Sequence, residues 1–172
     1  LMGSQGSAAG YQAFDTSSRM WGQGSLIAGL PNNIVRGFVE HDDHILVATW
    51  GGIGLWNTTK DGWDDPITTI DGLPTPIADH LFTIDTPIQG NGTVLIGGPA
   101  GLTVLHQDNL SVLTTLNFAD GLVGNMVSGI TYAEATSRLV NNPDGSTTVL
   151  HHDAALFISH NGQGSTRPGV AA

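Results

Sequence analysis

Gly-Leu followed by a short turn and an apolar-alternating run occurs three times in this chain. The copies are Gly29-Leu30-Pro31-Asn32-Asn33-Ile34-Val35, Gly72-Leu73-Pro74-Thr75-Pro76-Ile77 and Gly121-Leu122-Val123-Gly124-Asn125-Met126-Val127. The intervals between them are 43 and 49 residues. In strand-rich sequence, a period of this size is what the four short strands of one propeller blade occupy. The structural unit is therefore a blade. A shorter echo precedes the first copy. Tyr11, Phe14 and Trp21 run parallel to Ile53, Trp56 and Trp63 at a constant offset of 42 residues.

Strand positions follow from period-2 alternation, β-branched and aromatic enrichment, and turn residues such as Asp61-Gly62, Asn91-Gly92 and Asp120-Gly121. Residues 11–14 and 24–28 are expected to be the outer strands of a partial blade. The first whole blade would use 34–40, 44–49, 53–57 and 67–70, and the second 77–85, 93–97, 101–106 and 111–118. The third would use 126–133, 147–151 and 155–159, without an evident outer strand. No segment is convincingly helical, because Gly121, Gly124 and Gly129 interrupt the one amphipathic stretch.

The first copy continues through Ile34-Val35-Arg36-Gly37-Phe38-Val39, an acidic turn at Asp42-Asp43, the strand Ile45-Leu46-Val47-Ala48-Thr49, and Gly51-Gly52 before Ile53-Gly54-Leu55-Trp56. The second keeps Gly97-Gly98 and Gly101-Leu102. In the third, His151-His152-Asp153-Ala154-Ala155-Leu156 stands where the glycines are expected. This pattern resembles the two-component regulator propeller repeat, well over residues 29–120 and weakly beyond. The resemblance implies a ligand-sensing extracytoplasmic propeller and implies no catalytic residue.

The expected fold is all-β: a β-propeller-like array of four-stranded antiparallel blades in an incomplete ring. Its parts are a linker plus outer strands of a partial blade (1–28), blade repeats at 29–71 and 72–120, a degraded repeat at 121–160 and a tail at 161–172. About three blades fall short of the four to eight of closed propellers. Open blade edges invite pairing with another chain or with the remainder of a larger propeller. The chain opens at Leu1 without a signal peptide, as expected of a stretch excised from something longer.

Composition narrows the partners. The formal charge is −10, with Lys60 the single lysine, which argues against nucleic acid and anionic membranes. No run reaches the roughly 20 apolar residues that span a bilayer. With no cysteine, disulfides, thiolate metal sites and cysteine nucleophiles are excluded. These features suit an extracellular, periplasmic or cell-surface protein. Three sequons mark Asn57, Asn91 and Asn109 as glycosylation candidates.

Catalytic patterns are poor. There is no Gly-x-Ser-x-Gly elbow and no Gly-rich phosphate loop with a lysine, and Asp64-Asp65 next to Pro66 has no partner set. No enzyme activity, cofactor or metal is expected. His41-Asp42-Asp43-His44 has metal-binding residue types, but neighbouring strand residues point to opposite faces, and acidic residues simply suit the bend. Trp21, Trp56 and Trp63 recur at repeat positions, as packing aromatics do. Trp50 differs, because it stands in a second-to-third-strand loop on the expected ligand rim. Asn32, Asn33, Asn125, His152 and Asp153 join it as ligand-facing candidates. Two functions follow as expectations: a non-catalytic module that assembles through edge strands, or a saccharide-type sensor.

Overall fold

The computed structural model describes residues 2–3, 11–12, 14–21, 29–88, 92–141, 143 and 146–160. Among them every regular element is a strand, except for two single-turn 3-10 segments. The chain is all-β, with two complete four-stranded antiparallel blades and no closed barrel among the described residues.

Blade one is a meander of β5 (Val35–His41), β6 (His44–Thr49), β7 (Gly52–Asn57) and β8 (Gly62–Ile67). Blade two repeats it with β9 (His80–Ile88), β10 (Gly92–Gly98), β11 (Gly101–His106) and β12 (Val112–Leu116). Before them lie β1 (Met2–Gly3), which pairs with β2 (Tyr11–Gln12), and the hairpin of β3 (Phe14–Asp15) with β4 (Met20–Trp21).

Two expectations change here. The fourth strand of blade one is Gly62–Ile67 rather than 67–70. Thr69–Asp71 instead forms a 3-10 turn closed by a capping box, with Asp71 Oδ2 accepting from the Thr68 amide at 2.8 Å. Met2–Gly3, expected as linker, is a strand. The strand expected at 24–28 lies outside the described residues.

The Gly-Leu signature has a physical cause. Gly29, Gly72 and Gly121 take φ of +115°, +100° and +105°, a backbone that L side chains avoid. At Gly72 and Gly121 this ends a 3-10 turn in the left-handed conformation. The leucine that follows is the anchor. Leu73 is buried in the contact between blades one and two, and Leu122 packs on the contact between blades two and three.

Blade two contributes alternate residues to blades one and three. Leu46, Ala48, Ile53, Leu55 and Ile67 of blade one meet Val94, Ile96 and Leu105 of blade two. Leu95, Leu102 and Val104, on the opposite face of blade two, meet Val127, Ile130, Leu156 and Ile158. The blades are also stitched by the Ala78 amide donating to the Thr49 carbonyl at 2.9 Å, and by Arg36 Nε on Asp79 Oδ1 at 3.1 Å.

The third repeat is interrupted rather than degraded. β13 (Val127–Ala133) pairs directly with β16 (Ala155–His160). Its register, Val127↔His160 then Gly129↔Ser159 across a one-residue bulge, repeats Val35↔Thr49 then Gly37↔Ala48. Residues 155–160 therefore occupy the second strand position, not the third. His160 holds the place of Thr49, so the position of the Gly51-Gly52 turn falls outside the described residues. The expected placement of His151-His152-Asp153 at that turn is corrected accordingly. β14 (Thr136–Asn141) and β15 (Thr147–His152) form a separate ribbon inserted between the two strands. It takes the place of the Asp42-Asp43 turn of blade one.

Candidate functional site

A four-stranded meander puts its first-to-second and third-to-fourth turns on one rim. The second-to-third turns and the blade linkers lie on the other. The sequence candidates Asn32, Asn33, Trp50 and Asn125 belong to the linker rim. Trp50 is 44% exposed, and its backbone amide is tied to the Ile34 carbonyl at 3.2 Å. Asn32 Oδ1 accepts from the Ile34 amide at 2.7 Å, and Asn125 Oδ1 accepts from the Phe118 amide at 2.8 Å. Both amide oxygens thus shape their loops, whereas Asn33 is exposed. His152 ends the second arm of the inserted ribbon, opposite Thr136, and Asp153 follows it, exposed. The ribbon starts from the opposite rim, so these two do not join the other four.

A concavity lies on that opposite rim. A cleft of about 540 Å³ opens between blades one and two, bounded by the His41–His44 turn, the strand end at Asp65-Pro66 and the Gln107–Ser111 turn. His41 spans it from within, with Nε2 2.9 Å from the Gln107 carbonyl oxygen and 3.7 Å from Asp42 Oδ2. His44 turns the other way, into its own blade. Its Nδ1 is 2.7 Å from Asp43 Oδ1 and its Nε2 is 2.9 Å from Asp64 Oδ2. His41 and His44 are opposite each other across β5 and β6 and so share a face of the blade, yet their rings reach different partners, Gln107 of blade two for His41 and Asp64 for His44.

Asp64 is the centre of the polar cluster on blade one. It lies in β8, opposite Leu55, rather than in a loop. Lys60 Nζ at 2.7 Å, His44 Nε2 at 2.9 Å and Asn57 Nδ2 at 3.0 Å hold its carboxyl well below the usual carboxylate range. The same contact raises Lys60 above its ordinary value.

Asn57 is only 4% exposed. Its Oδ1 accepts from the amides of Thr59 and Lys60, at 3.0 and 2.9 Å, and its Nδ2 serves Asp64. A glycan on that nitrogen would displace the Asp64 contact. Asp15 does the same work one repeat earlier, accepting from Ser17 and Ser18, and His106 Nδ1 accepts from Asp108 one repeat later. The asparagine of this sequon is thus a turn former. Asn109 is exposed at the cleft margin, with Oδ1 accepting from the Ser111 amide at 3.0 Å. Asn91 lies outside the described residues.

Sequence reasoning missed this cleft, because it depends on which turns of different blades face each other. The spacing of Asp42, Gln107 and Asp108 gives no sign of their proximity. Among the described residues, no helix is long and apolar enough to cross a membrane.

No protein-family model matches the chain, and no curated protein matches it. A solved structure, the extracellular domain of a hybrid two component system from B. thetaiotaomicron, is similar over 82% of this chain at 15% identity and a TM-score of 0.43. The chain spans 16% of that structure's length.

Proposed function

We propose that this chain is a non-catalytic, extracytoplasmic propeller segment that works by assembly: its open blade faces and edges take up further blades. One observation carries the reading. Leu46, Leu95 and Phe157 hold equivalent places on the second strands of the three blades. The first two are 0% exposed beneath the next blade, whereas Phe157 is 58% exposed. Thr131, equivalent to the inward-packed Val39 and Phe82, is exposed beside it. This face has the form of an inter-blade contact without its second half. Among the described residues β16 pairs with β13 alone, which leaves its other edge open to a further strand.

Sedimentation at increasing concentration tests the proposal. The expected result is reversible association that Phe157→Asp abolishes, with the thermal transition of the variant unchanged because the side chain is exposed. A monomer at every concentration, with Phe157→Asp indistinguishable from it, overturns the reading.

Exposed Trp50 beside Asn33 favours a second reading, a saccharide-type sensing rim, since an exposed indole offers a stacking face. A glycan array separates the two: saturable binding lost in Trp50→Ala, by a stable monomer, supports sensing over assembly.

A further inference from the structure

We propose that the third blade is completed by a second copy of this chain, which lays its own β2–β4 segment beside β16. The inference rests on the assembly reading above and names its partner. Strand positions carry it. β13 and β16 hold the first and second positions of a blade, and among the described residues no strand pairs with the outer edge of β16. β2 and β3 together hold a third position and β4 a fourth. Tyr11, Phe14 and Trp21 match Ile53, Trp56 and Trp63, and Phe14 pairs with Trp21 as Trp56 pairs with Trp63. One end of the blade array thus presents the half-blade that the other end lacks.

The second position beside β2 is held by β1 alone. Met2 and Gly3 pair with Gln12 and Tyr11 as Val47 and Ala48 of β6 pair with Gly54 and Ile53. The six-residue β16 of a second copy would displace this two-residue strand. The β6–β7 register, carried over, sets Leu156 opposite Phe14 and Ile158 opposite Gln12.

Gly121 gives an independent indication. Each Gly-Leu linker leans on the fourth strand of the blade it precedes. A Cβ built on Gly29 would overlap the Trp63 ring, and one on Gly72 would lie 3.7 Å from Val112, which pairs with Leu105 as Trp63 pairs with Trp56. Among the described residues, nothing lies within 4 Å of a Cβ on Gly121. The side chain equivalent to Trp63 is missing there. Trp21, the counterpart of Trp63, is 48% exposed, with Phe14 and Met20 exposed beside it. A second copy docked through β16 would set Trp21 over Gly121.

Two copies joined head to tail at both ends would supply two whole blades each and two shared ones. The resulting six lie within the four to eight of closed propellers. Such heterologous contacts close into a ring rather than growing into a fibre.

Sedimentation of full-length variants tests this. Trp21→Asp and Phe157→Asp break opposite sides of the same junction, so each alone should be monomeric. Their equimolar mixture should form a one-to-one pair, because each keeps the side that the other has lost. The parent should stop at two copies. Hydrogen exchange on the parent gives a reading that needs no variant: association should slow exchange in both β16 and β3–β4 and leave the β14–β15 ribbon unchanged. Three results overturn the proposal while leaving association through Phe157 standing: Trp21→Asp that associates like the parent, a mixture that stays monomeric, or protection confined to β16. Failure of the parent to associate removes both readings.

Discussion

Gly52→Ala probes the turn chemistry that sets blade geometry. Gly52 has φ +127°, and a Cβ built there falls on the carbonyl oxygen of Ile67. Gly101 repeats both properties against Leu116 one blade later. Two costs add. The backbone conformation costs an L residue about 1–3 kcal/mol. The overlap is with backbone, so β8 must shift where Ile67 pairs with Ile53, weakening one or two ladder hydrogen bonds at about 1 kcal/mol each. The sum, about 2–5 kcal/mol, is a large part of the roughly 5–15 kcal/mol that stabilises a typical domain. At about 2–4 °C per kcal/mol for a chain of this size, the melting temperature should fall by about 4–20 °C. Gly37→Ala is the matched control. A Cβ there meets nothing within 4 Å, and the equivalent position in blade two already holds His80. It should stay within about 0.5 kcal/mol of the parent. Thermal unfolding followed by circular dichroism reads both. A Gly52→Ala melt matching that of Gly37→Ala would refute the argument that this turn requires glycine.

Two further outcomes follow from the site and from the third blade. The Asp64 carboxyl has a depressed folded-state value, so its contribution is present above the unfolded value of about 4 and is lost as pH falls through the folded one. Asp64→Asn should therefore flatten the acid limb of the stability profile below about pH 4, measured by urea unfolding across pH. An unchanged acid limb would contradict the assignment. Replacing residues 134–154 by Asp-Asp, the pair that joins His41 to His44, should leave the chain folded with its melting temperature nearly unchanged. Among the described strands, the two arms of the inserted ribbon pair with each other, and Leu139 and Val149 on it are exposed. Loss of the cooperative transition would show instead that the ribbon supports the blade.

The blade repeat was legible because its determinants are local. Positive-φ glycines, the Asp-Gly turns and period-2 alternation all act within a few residues of each other. The aromatic offset was legible for the same reason: Phe14 pairs with Trp21 as Trp56 pairs with Trp63. Their ring centroids are 5.0 and 5.3 Å apart. The fourth strand of blade one was misplaced because Asp64-Asp65-Pro66 has loop composition. Asp64 is tolerated in a strand by its contacts with Lys60, His44 and Asn57, all of which come from other strands or turns. The insertion in the third repeat was hidden because a ribbon of two alternating strands has the same local pattern as two strands of a blade. Only the pairing of Val127 with His160 distinguishes them, and that is long-range information. The inter-blade cleft was illegible for the same reason. Its walls come from segments about 65 residues apart, such as His41 and Gln107.

Residue-level solvent protection at Phe157 tests the central claim most directly. Hydroxyl-radical footprinting at low and high protein concentration should show oxidation of Phe157 falling severalfold as the chain associates, while Trp50 on the linker rim is unaffected. Oxidation of Phe157 that stays constant while association proceeds would contradict the account, because the face it occupies would then remain bare in the assembled protein.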